Sequence, residues 1–238
     1  MKRIDTVKSI GAVALALAMA ANLALAGAGN VGNPGVAPPQ SSTHGQTYGA
    51  WAAAWWQWAL STPASINPLT DTTGQFAAVG QSGPVWFLAG VWGGSGTVVR
   101  ECTVPPGKAL LVPIVNWFDI GWGWTPDDNI PEIIQSFRDF LKSAVDQATD
   151  MACEIDGKPV RNIQAYREQS IEFTLTMPED NLFGMPELAE VTDFLGVDDG
   201  YYLLIEPLKA GTHTIHFHAQ VLPDIAPMDV TYHLTVAR

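Results

Sequence analysis

The sequence predicts a mainly β protein, a β-rich α+β body organised as an antiparallel β-sandwich or jelly-roll-like fold with two helical insertions. Short apolar runs separated by Gly- and Pro-rich turns recur from residue 84 to the C-terminus, and only two stretches show helical periodicity. Strands and helices do not alternate as βαβ units require, which leaves a layered antiparallel architecture. With 47% hydrophobic and 15% charged residues, the 238-residue chain has the composition of a folded body.

Residues 1–26 read as an export signal. Lys2, Arg3 and Lys8 form a basic head, residues 10–25 are almost uninterruptedly apolar, and Ala24-Leu25-Ala26 is a small-residue cleavage pattern. Losing this segment removes three bases and one acid, Asp5, so the net charge moves from −12 to −14. Such acidity excludes nucleic acid and anionic membrane surfaces as partners, since both need a basic footprint. Beyond the signal no apolar run reaches the ~18 residues of a spanning helix, so no transmembrane segment is expected in the mature chain. A secreted or periplasmic location is the expectation.

Residues 27–46 are rich in Gly, Pro, Asn and Ser without periodicity and read as a flexible lead-in, followed by one β-rich domain over 47–238. That domain opens with a Trp-rich helix. Tyr48, Trp51, Trp55 and Trp58 recur at helical spacing, Trp56 and Leu60 widen the apolar surface, and the lack of Lys or Arg argues for a core helix over a membrane-surface one. Strands are then expected at 84–91, 97–104 and 109–115 as a meander, divided by Gly93-Gly94-Ser95-Gly96 and Pro105-Pro106-Gly107.

An amphipathic helix follows over 130–150, with apolar residues recurring at Ile133, Ile134, Phe137, Phe140, Leu141, Ala144, Val145 and Ala148, a cap among Asp127, Asp128 and Asn129, and Pro131 in its first turn. Further strands are expected at 153–160, around an Asp156-Gly157 turn, and at 170–177, 201–208, 213–222 and 230–237. The acidic pairs Asp127-Asp128 and Asp198-Asp199 read as solvated turns. All nine Trp lie between 51 and 124, where only three acids and two bases occur. The first half is aromatic and nearly uncharged, the second strongly acidic.

The order of the Trp-rich helix, the segment Gly80 to Gly90 (GQSGPVWFLAG), residues 102–114 and Gly211-Thr-His-Thr-Ile-His-Phe217 resembles a family of uncharacterised secreted bacterial proteins. The resemblance implies export and a single domain, and carries no activity.

Chemistry-bearing residues are few. Cys102 and Cys153 are the only cysteines, and in an oxidising compartment a disulfide between them is expected, stabilising by about 4 kcal/mol in the chain-entropy model. In the C-terminal hairpin the apolar sets Ile215, Phe217, Ala219, Val221 and Val230, Tyr232, Leu234, Val236 leave His216, His218 and His233 on one polar face. A turn centred between residues 225 and 226 puts His218 opposite His233. Three imidazoles so placed could hold a divalent metal such as Zn or Cu with one position open, or the face could be merely solvated. Trp117, Trp122 and Trp124, spaced by Gly in an expected loop, form a candidate platform for sugar rings or other apolar ligands, or fold down over one end of the sandwich.

Nucleophile motifs fail: Gly80-Gln-Ser82-Gly-Pro84 lacks the last Gly of G-x-S-x-G and the following helix, and Asp71-Thr-Thr-Gly74 is one residue too long for an aspartic-protease triplet. The expected role is therefore non-catalytic binding of a small molecule, carbohydrate or surface component, or a structural task. A metal-dependent enzyme using the three His is the alternative.

Overall fold

The computed structural model describes residues 8–10, 33 and 35–238, with the backbone alone for 8–10. The expected export signal lies outside the described residues except for a three-residue strand, β1 (Lys8–Ile10). The remaining elements are β2 (Ser42–Thr43), β3 (Gln46–Thr47), α1 (Tyr48–Ser61), β4 (Val85–Phe87), β5 (Gly96–Val104), β6 (Ala109–Trp122), α2 (Ile130–Val145), β7 (Thr149–Ile155), β8 (Lys158–Pro159), β9 (Arg167–Gln169), β10 (Leu195–Ile205), β11 (Gly211–Gln220) and β12 (Met228–Val236). The molecule is mainly β, as expected. One sheet is centred on β6 and β10, with β1, β4 and β9 at its margins; the other runs β5-β12-β11-β7-β8. Both contribute to one hydrophobic core. Among the described residues no helix is long and apolar enough to cross a membrane.

The expected meander gives way to a crossed topology. β4 runs parallel to the start of β6, while β5 leaves that sheet and pairs parallel with β12 over its whole length. The physical cause is visible at Arg100 of β5, which is only 1% exposed. Its guanidinium donates to the carbonyls of Asp71, Ala89 and Gly90 and to the Tyr232 hydroxyl. It thereby ties the loops on either side of β4 to the second sheet. Asp71-Thr-Thr-Gly74 forms a turn: the carboxylate accepts from the Thr73 amide and hydroxyl and from the Phe76 amide. Gly74 sits at φ +92°, where a Cβ would fall 2.2 Å from the Glu101 carbonyl oxygen.

α1 starts at Thr47, whose hydroxyl accepts from the Ala50 amide. It is buried on nearly every side, with Trp51, Trp55, Trp56 and Trp58 all in the core, in line with the core-helix reading. Each indole N–H has a partner, and three of these are carbonyls of Thr43, Leu88 and Val79. α2 is clearly amphipathic and lays Ile134, Phe137 and Leu141 over Val197 of β10. The Asp156-Gly157 turn closes the β7–β8 hairpin with both residues at positive φ, the geometry that Asp-Gly favours.

Three strand expectations need correction. β6 does not end at 115 but continues to Trp122, pairing with β10 from Leu110 to Gly121 across one register shift. The stretch 170–177 forms no continuous ladder and meets β10 through Ser170, hydrogen-bonded to Asp198, and at the bridge Phe173 to Gly196. β10 begins at Leu195, so Asp198 and Asp199 are mid-strand and fully buried instead of forming a solvated turn. Alternation sends these two acids to opposite faces of the sheet. Asp199 accepts both Arg167 Nε and Nη2 at 2.9 Å, and the same guanidinium reaches Asp146 and the Lys142 carbonyl, fastening the end of α2.

The expected disulfide is also overturned: Cys102 and Cys153 are both free. They lie on β5 and β7, with β12 and β11 between them. Three strand spacings amount to ~14 Å, about twice the widest Cα separation a disulfide bridges. Burial pushes the Cys102 thiol up to about 11 and the Cys153 thiol up to about 12, so both are protonated and unreactive at neutral pH.

Candidate functional site

Where Trp55 and Trp56 of α1 approach residues 115–118 of β6, the loop after β4 and the β11–β12 connection fold over to leave a cavity of about 570 Å³. Its walls come from six places: Trp55 and Trp56 of α1, Leu69, residues 90–94, residues 115–118 of β6, Phe183, and the hairpin connection with Leu222 and Ile225. The aromatic rings meet one another in a chain. Trp55 and Trp56 are 4.8 Å apart between centroids, Trp56 and Phe118 4.2 Å, Trp92 and Phe183 5.6 Å, and Phe118 and Phe183 6.3 Å.

Each wall is held from behind. Arg100 holds the carbonyls of Ala89 and Gly90, and the Trp92 amide donates to the Leu69 carbonyl. Gln220 Nε2 donates to the carbonyls of Leu222 and Ile225, fixing the turn that brings both side chains over the cavity. Behind Trp56 lies Asp198, whose Oδ2 accepts the Trp56 Nε1–H at 2.8 Å and the Tyr202 hydroxyl at 2.6 Å. The Ser170 hydroxyl accepts the Asp198 amide. Burial pushes the Asp198 carboxyl far above the usual carboxylate range, and the Tyr202 phenol also above its own.

Two N–H groups of lining residues have no hydrogen-bond partner, Asn116 Nδ2 and Trp117 Nε1. Asn116 Nδ2 lies close to the Tyr202 hydroxyl, which already donates to Asp198, but makes no hydrogen bond of normal length and angle with it. Among the described residues no Ser, Cys, His, Asp, Glu, Lys or Arg lines the cavity.

The predicted Trp platform is dispersed. Trp117 does reach the cavity and packs against both hydrophobic clusters. Trp122 is 8% exposed and meets Phe194 edge-on at 5.4 Å, in the core. Trp124 folds back over Gly121 and donates its indole N–H to the Asp193 carbonyl. A Cβ at Gly121 would stand 2.7 Å from the Trp124 ring, so this glycine serves close packing and not loop freedom. Sequence reading missed Trp56, Trp92, Phe118 and Phe183; the Gly-rich stretch 90–96 beside a Trp was the one available signal.

The three His do share the outer face of the second sheet, on side chains alternating with buried Ile215, Phe217, Leu234 and Tyr232. They do not converge. The hairpin closes at Ala219 to Met228, two residues earlier than expected, so His218 faces Asp229, His216 faces Thr231 and His233 faces Thr214. Carboxylates take up two of the rings: His216 Nε2 is 3.2 Å from Asp229, and His218 lies 3.1 Å from Asp150 and 3.5 Å from Asp229. Among the described residues no group of three or more His, Cys, Asp and Glu is placed to hold a metal ion.

No family model, curated protein or solved structure matches this chain. The functional reading therefore rests on the chain's own geometry.

Proposed function

We propose that this is an exported, non-catalytic binding protein that takes a small hydrophobic molecule into the aromatic cavity beside α1. The observation that carries the reading is the cavity wall: a space of about 570 Å³, within the size range of small-molecule sites, bounded by six Trp or Phe rings from four separate segments and by aliphatic side chains. A wall with no acid, base or nucleophile supports binding and offers no group for proton transfer or covalent attack. It also favours an apolar ligand over a carbohydrate. Sugar hydroxyls stripped of water need several hydrogen-bond partners, and Asn116 is the one polar side chain of the lining beside the indole N–H groups. The acidic, leader-bearing sequence supports a role outside the cytoplasm.

The test uses the uncharged dye Nile red. Its emission should rise and shift to the blue on titration with the protein, saturating at one dye per chain. Leu222→Trp, which plugs the cavity from a half-buried turn position, should abolish the change while leaving thermal unfolding intact. Unchanged dye binding by the plugged variant would remove the cavity from the account.

A further inference from the structure

We propose that Asn116 is the polar anchor of this cavity, and that its ligand is an uncharged, ring-bearing hydrophobic molecule presenting one hydrogen-bond-accepting oxygen, of the ketone type. The inference rests on the binding role above. Asn116 lies two residues before Phe118 on β6, so alternation puts both side chains on the same face of the sheet, the face that Asp198 and Trp56 also share. Trp117 lines the cavity too but also packs against the cluster under α2, and Asn116 is the one side-chain amide of the lining, on the face of Phe118.

The amide is held in place. Asn116 pairs with Gly200, where a Cβ would come within 2.8 Å of the Asn116 Cβ, so a glycine is required for the side chain to seat there. Among the described residues its buried Nδ2 makes no hydrogen bond of normal geometry and has only the Tyr202 hydroxyl nearby, a state that few buried donors in folded proteins occupy. A ligand carbonyl oxygen, met after a small rotation of the amide, would supply what is missing.

Charge selects against an acid. A carboxylate in this cavity would meet no Lys, Arg or His in the wall, and a single neutral donor does not offset the loss of its hydration. The protein's overall negative charge opposes it further.

Titration calorimetry with naphthalene, acetylnaphthalene and naphthoate at neutral pH tests this directly. The wild-type protein should bind the ketone about tenfold more tightly than the hydrocarbon, which corresponds to about 1.4 kcal/mol, and naphthoate at least tenfold more weakly than the ketone. Asn116→Leu should bind naphthalene and acetylnaphthalene equally. Asn116→Asp, close in shape but an acceptor, should lose the same preference and covers the case in which the leucine variant does not fold. Equal wild-type binding of ketone and hydrocarbon, a ketone preference that survives in either folded variant, or naphthoate bound as tightly as the ketone would overturn the proposal while leaving the cavity a binding site. If neither naphthalene nor its ketone binds the wild-type protein, the binding role itself falls, and this inference with it.

Discussion

Trp56 and Asp198, 142 residues apart in the chain, meet in the core with the indole Nε1–H donating to the carboxyl Oδ2 at 2.8 Å. The contact joins the helix that walls the cavity to the strand beneath it. Tyr202, four residues along β10, donates to the same oxygen at 2.6 Å, while Oδ1 has no hydrogen-bond partner among the described residues. The carboxyl is therefore best accommodated with its proton on.

Asp198 makes stability pH-dependent in a defined direction. Its folded-state pKa is raised, so the native protein holds a proton that the unfolded chain releases above about 3.9. Its effect is smallest below that value, and stability falls as pH rises from there toward the folded-state pKa. Asp198→Asn keeps both acceptor contacts without the titration. Urea unfolding of this variant should show a flatter stability profile over that range than the wild type; parallel profiles would contradict the assignment.

His213 acts with the opposite sign. Burial works against its charged form, but the Asp156 carboxylate at 2.8 Å and the Lys209 carbonyl outweigh that and raise its pKa. The stabilisation is fully present below about 6.5 and is lost as pH rises through the folded-state value. His213→Gln should cost up to about 1 kcal/mol at pH 5, the scale of a half-exposed pair, and less at pH 9. Chemical denaturation at the two pH values measures the difference.

Arg100 holds the cavity loop from inside the protein. Arg100→Met should destabilise by at least about 3 kcal/mol, because three backbone carbonyls and the Tyr232 hydroxyl lose a charged donor in a buried site. Nile red binding should weaken with it, since Ala89 and Gly90 lose their tether. A loss below about 1 kcal/mol in urea unfolding would show that the loop is held by other contacts.

The two cysteines should both react when the protein is denatured without reductant, giving two thiols per chain, and neither should react quickly in the native state. Reductant should leave the melting temperature unchanged. Absence of free thiols after denaturation would require a sheet order different from β5-β12-β11-β7.

What was legible in the sequence is what local pattern controls. Helical spacing of Trp and Ile placed both helices, and period-two alternation put His216, His218 and His233 on one outer face. Register was not legible, because the length of the hairpin connection depends on Leu222 and Ile225 being drawn over the cavity. Asp198-Asp199-Gly200 imitated a turn, since nothing local reveals that Trp56, Tyr202 and Arg167 arrive from elsewhere in the chain to pair with the acids. Gly121 and Gly123 made the end of β6 look like a loop, when Gly121 is there to admit the Trp124 ring. The cavity itself is assembled from six separated segments, so only the long-range topology brings it into being.

The central claim, a hydrophobic ligand in the aromatic cavity, is tested most directly by the indole N–H resonances of the nine Trp in a nitrogen-15 correlation spectrum during titration with acetylnaphthalene. The account predicts shifts for Trp55, Trp56, Trp92 and Trp117, which line the cavity, and unmoved signals for Trp51, Trp58, Trp86, Trp122 and Trp124, which do not. Shifts centred on Trp122 and Trp124, or none at all at saturating ligand, would contradict it.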